Sequence, residues 1–284
     1  MQTPHEKTNL CYAEAAPSAR IDLITVAAMG ILAYFVAALI HEGGHAVIGL
    51  AFGVRSLKLT SFDVEFDIHL ITSLQQRFVS AAGILFNFLA ASILYVTFRK
   101  TWERADANLR YFRWLLLHIN LFVGGGYLMA LSFVSFGDVN VLLSGLNNEI
   151  LLRISTTLLG GLILIFTLMH GAFSLNIFLG TESELRKKRA LQLSITPYLA
   201  GCSVNTLAAV FANAGMFLTL CSAAAASFGG TSWMLMMIFP IDAGRQLATD
   251  SPQTPRRSLP WIALGLIAAA LNFGVFGRGI HIRF

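Results

Sequence analysis

The feature that most constrains this chain is a titratable cluster inside a long apolar run. Between Ile21 and Gly53 the only charged or titratable residues are Asp22, Tyr34 and the cluster His41-Glu42-Gly43-Gly44-His45. The run exceeds the ~20 residues that a helix needs to cross hydrocarbon. Ionisable side chains at that depth are costly and are usually functional. The cluster therefore predicts a functional site within a membrane.

The spacing within the cluster indicates what that site does. Residues i and i+4 of an α-helix lie on the same face, so His41 and His45 can direct both imidazoles at one ion. Glu42 lies on the neighbouring edge of that face. Two histidine ligands beside a carboxylate that takes a proton from a metal-bound water form the HExxH arrangement of zinc hydrolases. The sequence predicts bound Zn²⁺; the alternative is a pair of buried histidines that cap neighbouring helices.

Composition indicates a polytopic membrane protein. The 284 residues are 56% hydrophobic and 12% charged, whereas soluble domains carry about 25% charged residues. The lysines and arginines lie in short loops between apolar runs, which is a pattern of membrane topology and not of a nucleic-acid-binding face. We expect an all-α protein with about seven transmembrane helices, at Ile21–Gly53, Phe78–Phe98, Trp114–Phe136, Ile154–Leu179, Leu199–Phe228, Trp233–Leu247 and Leu259–Phe276.

The charge distribution also predicts an orientation. We expect the polar residues 1–20 to form a mobile tail, and they do not have the features of a signal peptide. This tail and the loops after the second, fourth and sixth runs hold most of the lysines and arginines. The positive-inside rule then favours an N-terminus in the cytoplasm, and the orientation is left open. The three cysteines have no CxxC spacing, so neither a disulfide framework nor a cysteine metal site is expected.

The period of the pattern changes after the first run. Apolar residues alternate with polar ones along residues 62–70, namely Phe62, Val64, Phe66, Ile68 and Leu70 against Asp63, Glu65, Asp67 and His69. A period of two predicts a strand with one apolar face. The segment Leu57–Thr60 is its candidate partner strand. We expect a short membrane-associated β segment here.

A catalytic zinc needs a third protein ligand. At 1.5 Å per residue, His45 lies about 12 Å from the end of its run, and Asn87 lies about 14 Å into the second run from the same face. Asp138 lies where the third run returns to that face. Asp242 lies about 14 Å into the sixth run from the same face, although an ion pair with Arg245 would also account for it. We favour Asp138 and keep Asp242 as the alternative.

Three elements in this order resemble the site-2 protease family of intramembrane zinc metalloproteases. They are the cluster 41–45, the segment Ala82-Gly83-Ile84-Leu85-Phe86-Asn87, and Gly137-Asp138. They correspond to the family's HExxH, its AGPxxN helix and its aspartate ligand. Ile84 departs from the family's proline. The family's aspartate is followed by glycine, whereas Asp138 is followed by valine. The segment Pro240-Ile241-Asp242-Ala243-Gly244 matches the family's proline-containing aspartate motif more closely.

The resemblance implies an integral, multi-pass zinc endopeptidase of a prokaryotic cell membrane. It implies a catalytic core at residues 21–148 and accessory transmembrane helices at residues 149–284. Zn²⁺ would be held by His41, His45 and Asp138, with Glu42 as the base. Asn87 would be catalytic by holding the substrate main chain or the oxyanion. The partners implied are a membrane-protein substrate and the lipid bilayer, without nucleic acid; the oligomeric state is left open.

Two other classes of function compete with this interpretation. A protease-like membrane scaffold without activity would bind partner helices, but the intact Glu42 disfavours it. A transporter would use the His/Glu cluster as an ion or proton relay. Such a protein is expected to show paired broken helices in two related halves, and the sequence has no such repeat.

Overall fold

The architecture is described by a computed structural model that covers residues 20–101, 104–211 and 225–283. The predicted mobile tail, except Arg20, and two of the three cysteines, Cys11 and Cys221, lie outside these residues. The protein is mostly helical. The α-helices of the described residues are α1 (Leu23–Ala51), α2 (Ser73–Thr101), α3 (Ala107–Ala130), α4 (Asp138–Leu143), α5 (Glu149–Leu175), α6 (Ser183–Ala208) and α7 (Leu259–Leu271).

Short 3₁₀ and π segments connect or extend these helices. The 3₁₀ segments are Ile68–Leu70, Asn176–Phe178, Ala209–Phe211, Ser232–Ile238 and Ile241–Leu247, and the π segments are Ala225–Gly229 and Asn272–Phe276. The two 3₁₀ segments at 232–238 and 241–247 occupy the predicted sixth span. That span is wrong as a single helix, because Pro240 separates the two segments and proline cannot donate the backbone hydrogen bond of a continuous helix.

Among the described residues, four helical segments are long and apolar enough to cross a membrane. They are Leu23–Ala51, Ser73–Thr97, Glu149–Phe178 and Leu259–Phe276. The expectation of about seven spans is therefore not supported. The predicted fifth span, Leu199–Phe228, coincides in part with α6, and its central portion lies outside the described residues.

Helix α3 lies at the centre of the bundle. It packs against α1, α2 and α5, and its large side chains Tyr111, Trp114 and Phe122 are almost fully buried. Its polar residues His118 and Asn120 are buried as well. Because protein surrounds α3 on most sides, it does not need the uniformly apolar surface of a lipid-facing helix.

Helix α1 carries the titratable cluster and contacts α2, α3, α6 and α7. Close approach to α6 depends on Gly30, where a Cβ would lie 2.5 Å from Pro197 Cα. Close approach to α7 depends on Gly265, where a Cβ would lie 2.6 Å from the carbonyl oxygen of Ala28. The main buried cluster includes residues from both sides of the predicted 148/149 boundary, such as Tyr34 and Leu193. The helices after residue 148 thus complete the packing of α1.

A three-stranded sheet lies beyond the C-terminal end of α1. Its strands β1 (Ser56–Leu59), β2 (Val64–Glu65) and β3 (Ile280–Arg283) are antiparallel in the order β2-β1-β3. The expected strand over 62–70 is wrong in length, because pairing stops at Glu65 and Asp67 caps the 3₁₀ turn by accepting from the His69 amide. The partner strand at Leu57–Leu59 agrees with the prediction. The sequence analysis missed β3.

Candidate metal centre

The centre is assembled from α1 and α4. His41 and His45 lie one turn apart on α1, with exposed fractions of 3% and 6%. Asp138 is the first residue of α4. Its Oδ2 lies 3.1 Å from His41 Nε2 and 3.3 Å from His45 Nε2. Three ligand atoms, one from each residue, therefore face one point.

These distances fit a tetrahedral metal. With Zn–N and Zn–O distances of about 2.0–2.1 Å, ligand atoms of a tetrahedral site lie about 3.3 Å apart. The three residues form a group whose ligand atoms all lie within 4.8 Å of one another. Two imidazoles and one carboxylate match the donor set of a catalytic zinc, which leaves a fourth position for water.

Each histidine is oriented by a second hydrogen bond. His45 Nδ1 lies 2.7 Å from the carbonyl oxygen of Val79. A carbonyl only accepts, so in the neutral form of His45 that binds a metal, Nδ1 carries the proton and Nε2 keeps its lone pair. His41 Nδ1 lies 2.7 Å from Asn87 Oδ1. Outer hydrogen bonds of this kind fix the tautomer and the ring orientation of histidine ligands.

Asn87 is completely buried. Its Nδ2 donates to Asn120 Oδ1 at 2.8 Å and to the carbonyl oxygen of Ala37 at 3.3 Å, which turns its Oδ1 toward His41. The catalytic role predicted for Asn87 stays a prediction. These contacts suit the positioning of His41 instead.

Helix α2 approaches the histidines closely because residue 83 is glycine. A Cβ at Gly83 would lie 2.7 Å from His45 Cε1 and 2.8 Å from His41 Cε1, with His45 Nε2 closer still. One turn of α2 therefore packs directly against both imidazoles, and a side chain at position 83 would displace them. Gly83 was noted in the sequence only as part of the resemblance.

The surroundings of Asp138 lower the pKa of its carboxyl group. Burial by itself raises the pKa of this carboxyl, but the charge of His45 and the hydrogen bonds from His41 and His45 hold it well below its usual range. The backbone also favours its placement: Gly137, which precedes α4, has φ of +81°, a conformation that side chains other than glycine rarely adopt. Gly137 thus allows the chain to turn sharply into α4.

A cavity adjoins the centre. Glu42 is 5% exposed and lines this cavity together with His41. The Tyr127 ring, whose centroid lies 4.5 Å from that of His41, forms part of the wall. The lining residues are Tyr34, Ala37, Ala38, His41, Glu42, Ser61, Phe62, Ile119, Val123, Tyr127, Asn205 and Ser227. Glu42 is therefore placed beside both the ligands and a space for a reactant.

Polar residues from distant segments reach the cavity. Ser61 Oγ donates to Asn272 Oδ1 at 2.7 Å, and Asn272 Nδ2 donates to Asn205 Oδ1 at 2.7 Å. Ser61 lies in the turn between β1 and β2, so this chain of hydrogen bonds ties the hairpin to α6 and to the segment after α7. The sequence analysis missed Asn205 and Asn272, whose signal was an asparagine inside an apolar run.

Asp242 lies far from the histidines. Its carboxylate is 74% exposed and lies 3.9 Å from Arg186 Nη2, so its ion-pair partner is not Arg245 as the sequence suggested. The segment Ile241–Leu247 packs on the C-terminal part of α5, where a Cβ at Gly244 would lie 2.8 Å from Phe173 Cα. Helix α4 meets the opposite end of α5, about 30 Å away at 1.5 Å per residue.

The buried His118 and the half-buried His170 form a separate pair. His118 Nε2 lies 3.0 Å from His170 Nδ1, and His118 Nδ1 lies 2.7 Å from the carbonyl oxygen of Trp114. Each ring thus has a polar partner within the bundle.

No protein-family model matches this chain, and no curated protein or solved structure matches it either.

Proposed function

We propose that this chain is a multi-pass membrane protein that acts as an intramembrane zinc endopeptidase. The observation that carries the proposal is the convergence of His41 Nε2 and His45 Nε2 on Asp138 Oδ2, at 3.1 and 3.3 Å, beside the cavity-lining Glu42. The four candidate spans support a location in a membrane.

His41, His45 and Asp138 would hold the ion. Bound Zn²⁺ supplies a water of lowered pKa and a polarised scissile carbonyl. Glu42 accepts the proton of the attacking water and passes it to the leaving amine as the peptide bond breaks. The burial of Glu42 next to the cavity, and not among the ligand atoms, supports this role over ligation.

The proposed substrate is a membrane protein in an extended conformation, because the carbonyls of a transmembrane helix are hidden in hydrogen bonds. The cavity offers apolar walls together with the polar side chains of Asn205, Ser61 and Ser227. Strand β2 is an edge strand of the sheet, so an extended substrate segment would pair with it as an additional strand. Because β2 has two residues, such pairing would be short.

The test compares wild-type protein with Glu42→Gln and His45→Ala, each purified into lipid nanodiscs. We expect zinc in the wild type and in Glu42→Gln, and little in His45→Ala, by elemental analysis. Membranes that contain wild-type protein should accumulate new protein N-termini, detected by mass spectrometry, and Glu42→Gln should reduce them about 10²–10⁴-fold. Cleavage at the wild-type rate in Glu42→Gln would refute the mechanism. Zinc without any cleavage would favour the inactive scaffold.

A further inference from the structure

Helix α4 cannot hold Asp138 in place by itself. It has six residues, whereas isolated helices shorter than about 12 residues are marginal in water even with good helix formers. Its last carbonyl groups have no partner within so short a helix. Yet the Asp138 carboxylate must stay within about 0.2 Å of its ligand distance to bind a metal well. Something outside α4 must therefore fix it.

The first support is Arg77 on α2. Its guanidinium donates to the carbonyl oxygen of Leu142 at 2.5 Å and to that of Ser144 at 2.6 Å, with Val141 O at 3.4 Å. These are the orphan carbonyls at the C-terminal end of α4. A cation there also complements the negative end of the helix dipole. Arg77 thus ties α4 to the helix that orients both histidines.

The second support is Arg153 on α5, whose side chain is 11% exposed. It donates to the carbonyl oxygen of Ser132, which precedes Asp138 in the chain. It also donates to Asn140 Oδ1 at 2.9 Å and to Ser144 Oγ at 3.1 Å, both after Asp138. Its Nε donates to Glu149 Oε1 at 2.8 Å, which holds the guanidinium. One side chain therefore fixes the loop on both sides of the third ligand.

We infer that Arg77 and Arg153 are positioning residues for the metal centre, which act by fixing the location of Asp138. The inference rests on the metal site proposed above, although it does not need a peptidase activity. Guanidinium groups suit this task because their planar fork of donors reaches several acceptors at once. The two arginines come from different helices, α2 and α5, so the loss of either leaves α4 held by the other alone.

The chain offers a matched control in Arg189. This arginine is also buried, with an exposed fraction of 6%, and its Nη1 donates to the carbonyl oxygen of Leu179 at 2.6 Å. Leu179 follows α5 at the end that lies away from α4. Replacing Arg189 thus removes a buried arginine that binds backbone carbonyls, without touching α4.

The experiment measures zinc affinity of the full chain in nanodiscs by competition with a chromophoric chelator. The variants are Arg77→Met, Arg153→Met and the control Arg189→Met. We expect the first two to weaken zinc binding about 10–100-fold, and the control to stay within about twofold. Cobalt-substituted protein gives a second readout, since the intensity of its visible absorption falls when the tetrahedral ligand set is incomplete. The thermal midpoint of the metal-free protein reports stability separately.

The outcomes separate the two proposals. If the wild type binds zinc and all three variants bind it equally well, the positioning role is refuted and the metal site stands. If the wild type binds no zinc, both the positioning role and the proposed function are refuted. Should the Met variants not fold, Arg77→Lys and Arg153→Lys keep the charge but lose the planar fork. We expect about a tenfold loss from these, the lower end of the 10–100-fold range for groups that orient metal ligands, and wild-type affinity in both would overturn the inference.

Discussion

Substitution of Gly83 by alanine is the sharpest test of the site geometry. The added Cβ would lie 2.7 Å from His45 Cε1 and 2.8 Å from His41 Cε1, whereas ordinary contacts begin at 3.4 Å. The two Cε1 atoms would have to retreat by about 0.7 and 0.6 Å, the differences between these distances, and His45 Nε2, which lies closer still, would have to retreat further. Metal sites tolerate about 0.2 Å in ligand distance. The methyl group therefore displaces the rings by more than a bound ion accepts.

The expected magnitude follows from that displacement. Overpacking of this kind costs about 1–3 kcal/mol, which corresponds to roughly 5–150-fold in an equilibrium constant. We expect Gly83→Ala to weaken zinc binding by about 10–100-fold, measured by competition with a chelator in nanodiscs. The bundle itself should remain folded, because the methyl group is added at one contact between α1 and α2.

Gly43→Ala is the matched control. Gly43 lies between the two histidines, and a Cβ there would meet nothing within 4 Å. Alanine in place of glycine also favours a helix by up to about 1 kcal/mol. Gly43→Ala should therefore bind zinc as tightly as the wild type and melt at the same or a higher temperature. Wild-type affinity in Gly83→Ala, or an equal loss in Gly43→Ala, would refute the proposed geometry.

Three further substitutions test individual contacts. Asp138→Asn should remove most of the bound zinc in elemental analysis while Asp242→Asn retains it, and the reverse pattern would reassign the third ligand. Asn87→Ala should lower zinc affinity about 10–100-fold by chelator competition, because His41 Nδ1 loses its acceptor; unchanged affinity would leave Asn87 free for the predicted catalytic role. Val64→Pro should retain zinc but reduce new N-termini, since proline distorts β2, with Glu65→Gln as a control that keeps both; normal cleavage in Val64→Pro would exclude β2 from substrate binding.

The grouping of His41, His45 and Asp138 was accessible from the sequence because it depends on simple patterns. The i, i+4 spacing fixes the direction of two side chains on any helix, and the third apolar run returns Asp138 to the same face of the membrane. The sequence favoured Asp138 but kept Asp242 as the alternative, since the depth of Asp242 is close to that of the histidines. What separates them is that Asp242 lies in a 3₁₀ segment against the far end of α5, where Arg186 is its partner.

Other features lay beyond the sequence for physical reasons. The prediction of seven spans assumed that each apolar run forms one helix. Pro240 instead divides the sixth run into two short segments. Arg77 and Arg153 looked like residues of membrane-flanking loops, because sequence does not show which carbonyl groups a guanidinium reaches. Likewise, the sequence does not show that Asn120 on α3 accepts a hydrogen bond from Asn87 on α2.

The pairing of β1 with β3 has a consequence for the order in which the molecule is assembled. Ser56 pairs with Arg283 and Leu59 with Ile280, so the two strands are more than 200 residues apart in the chain. During synthesis, β1 cannot gain its second neighbour until α7 has been made and inserted. The hairpin whose turn lines the cavity therefore acquires its final neighbours last. A ribosome-bound chain would carry both histidines and Asp138 well before the wall of the cavity beside Glu42 is complete.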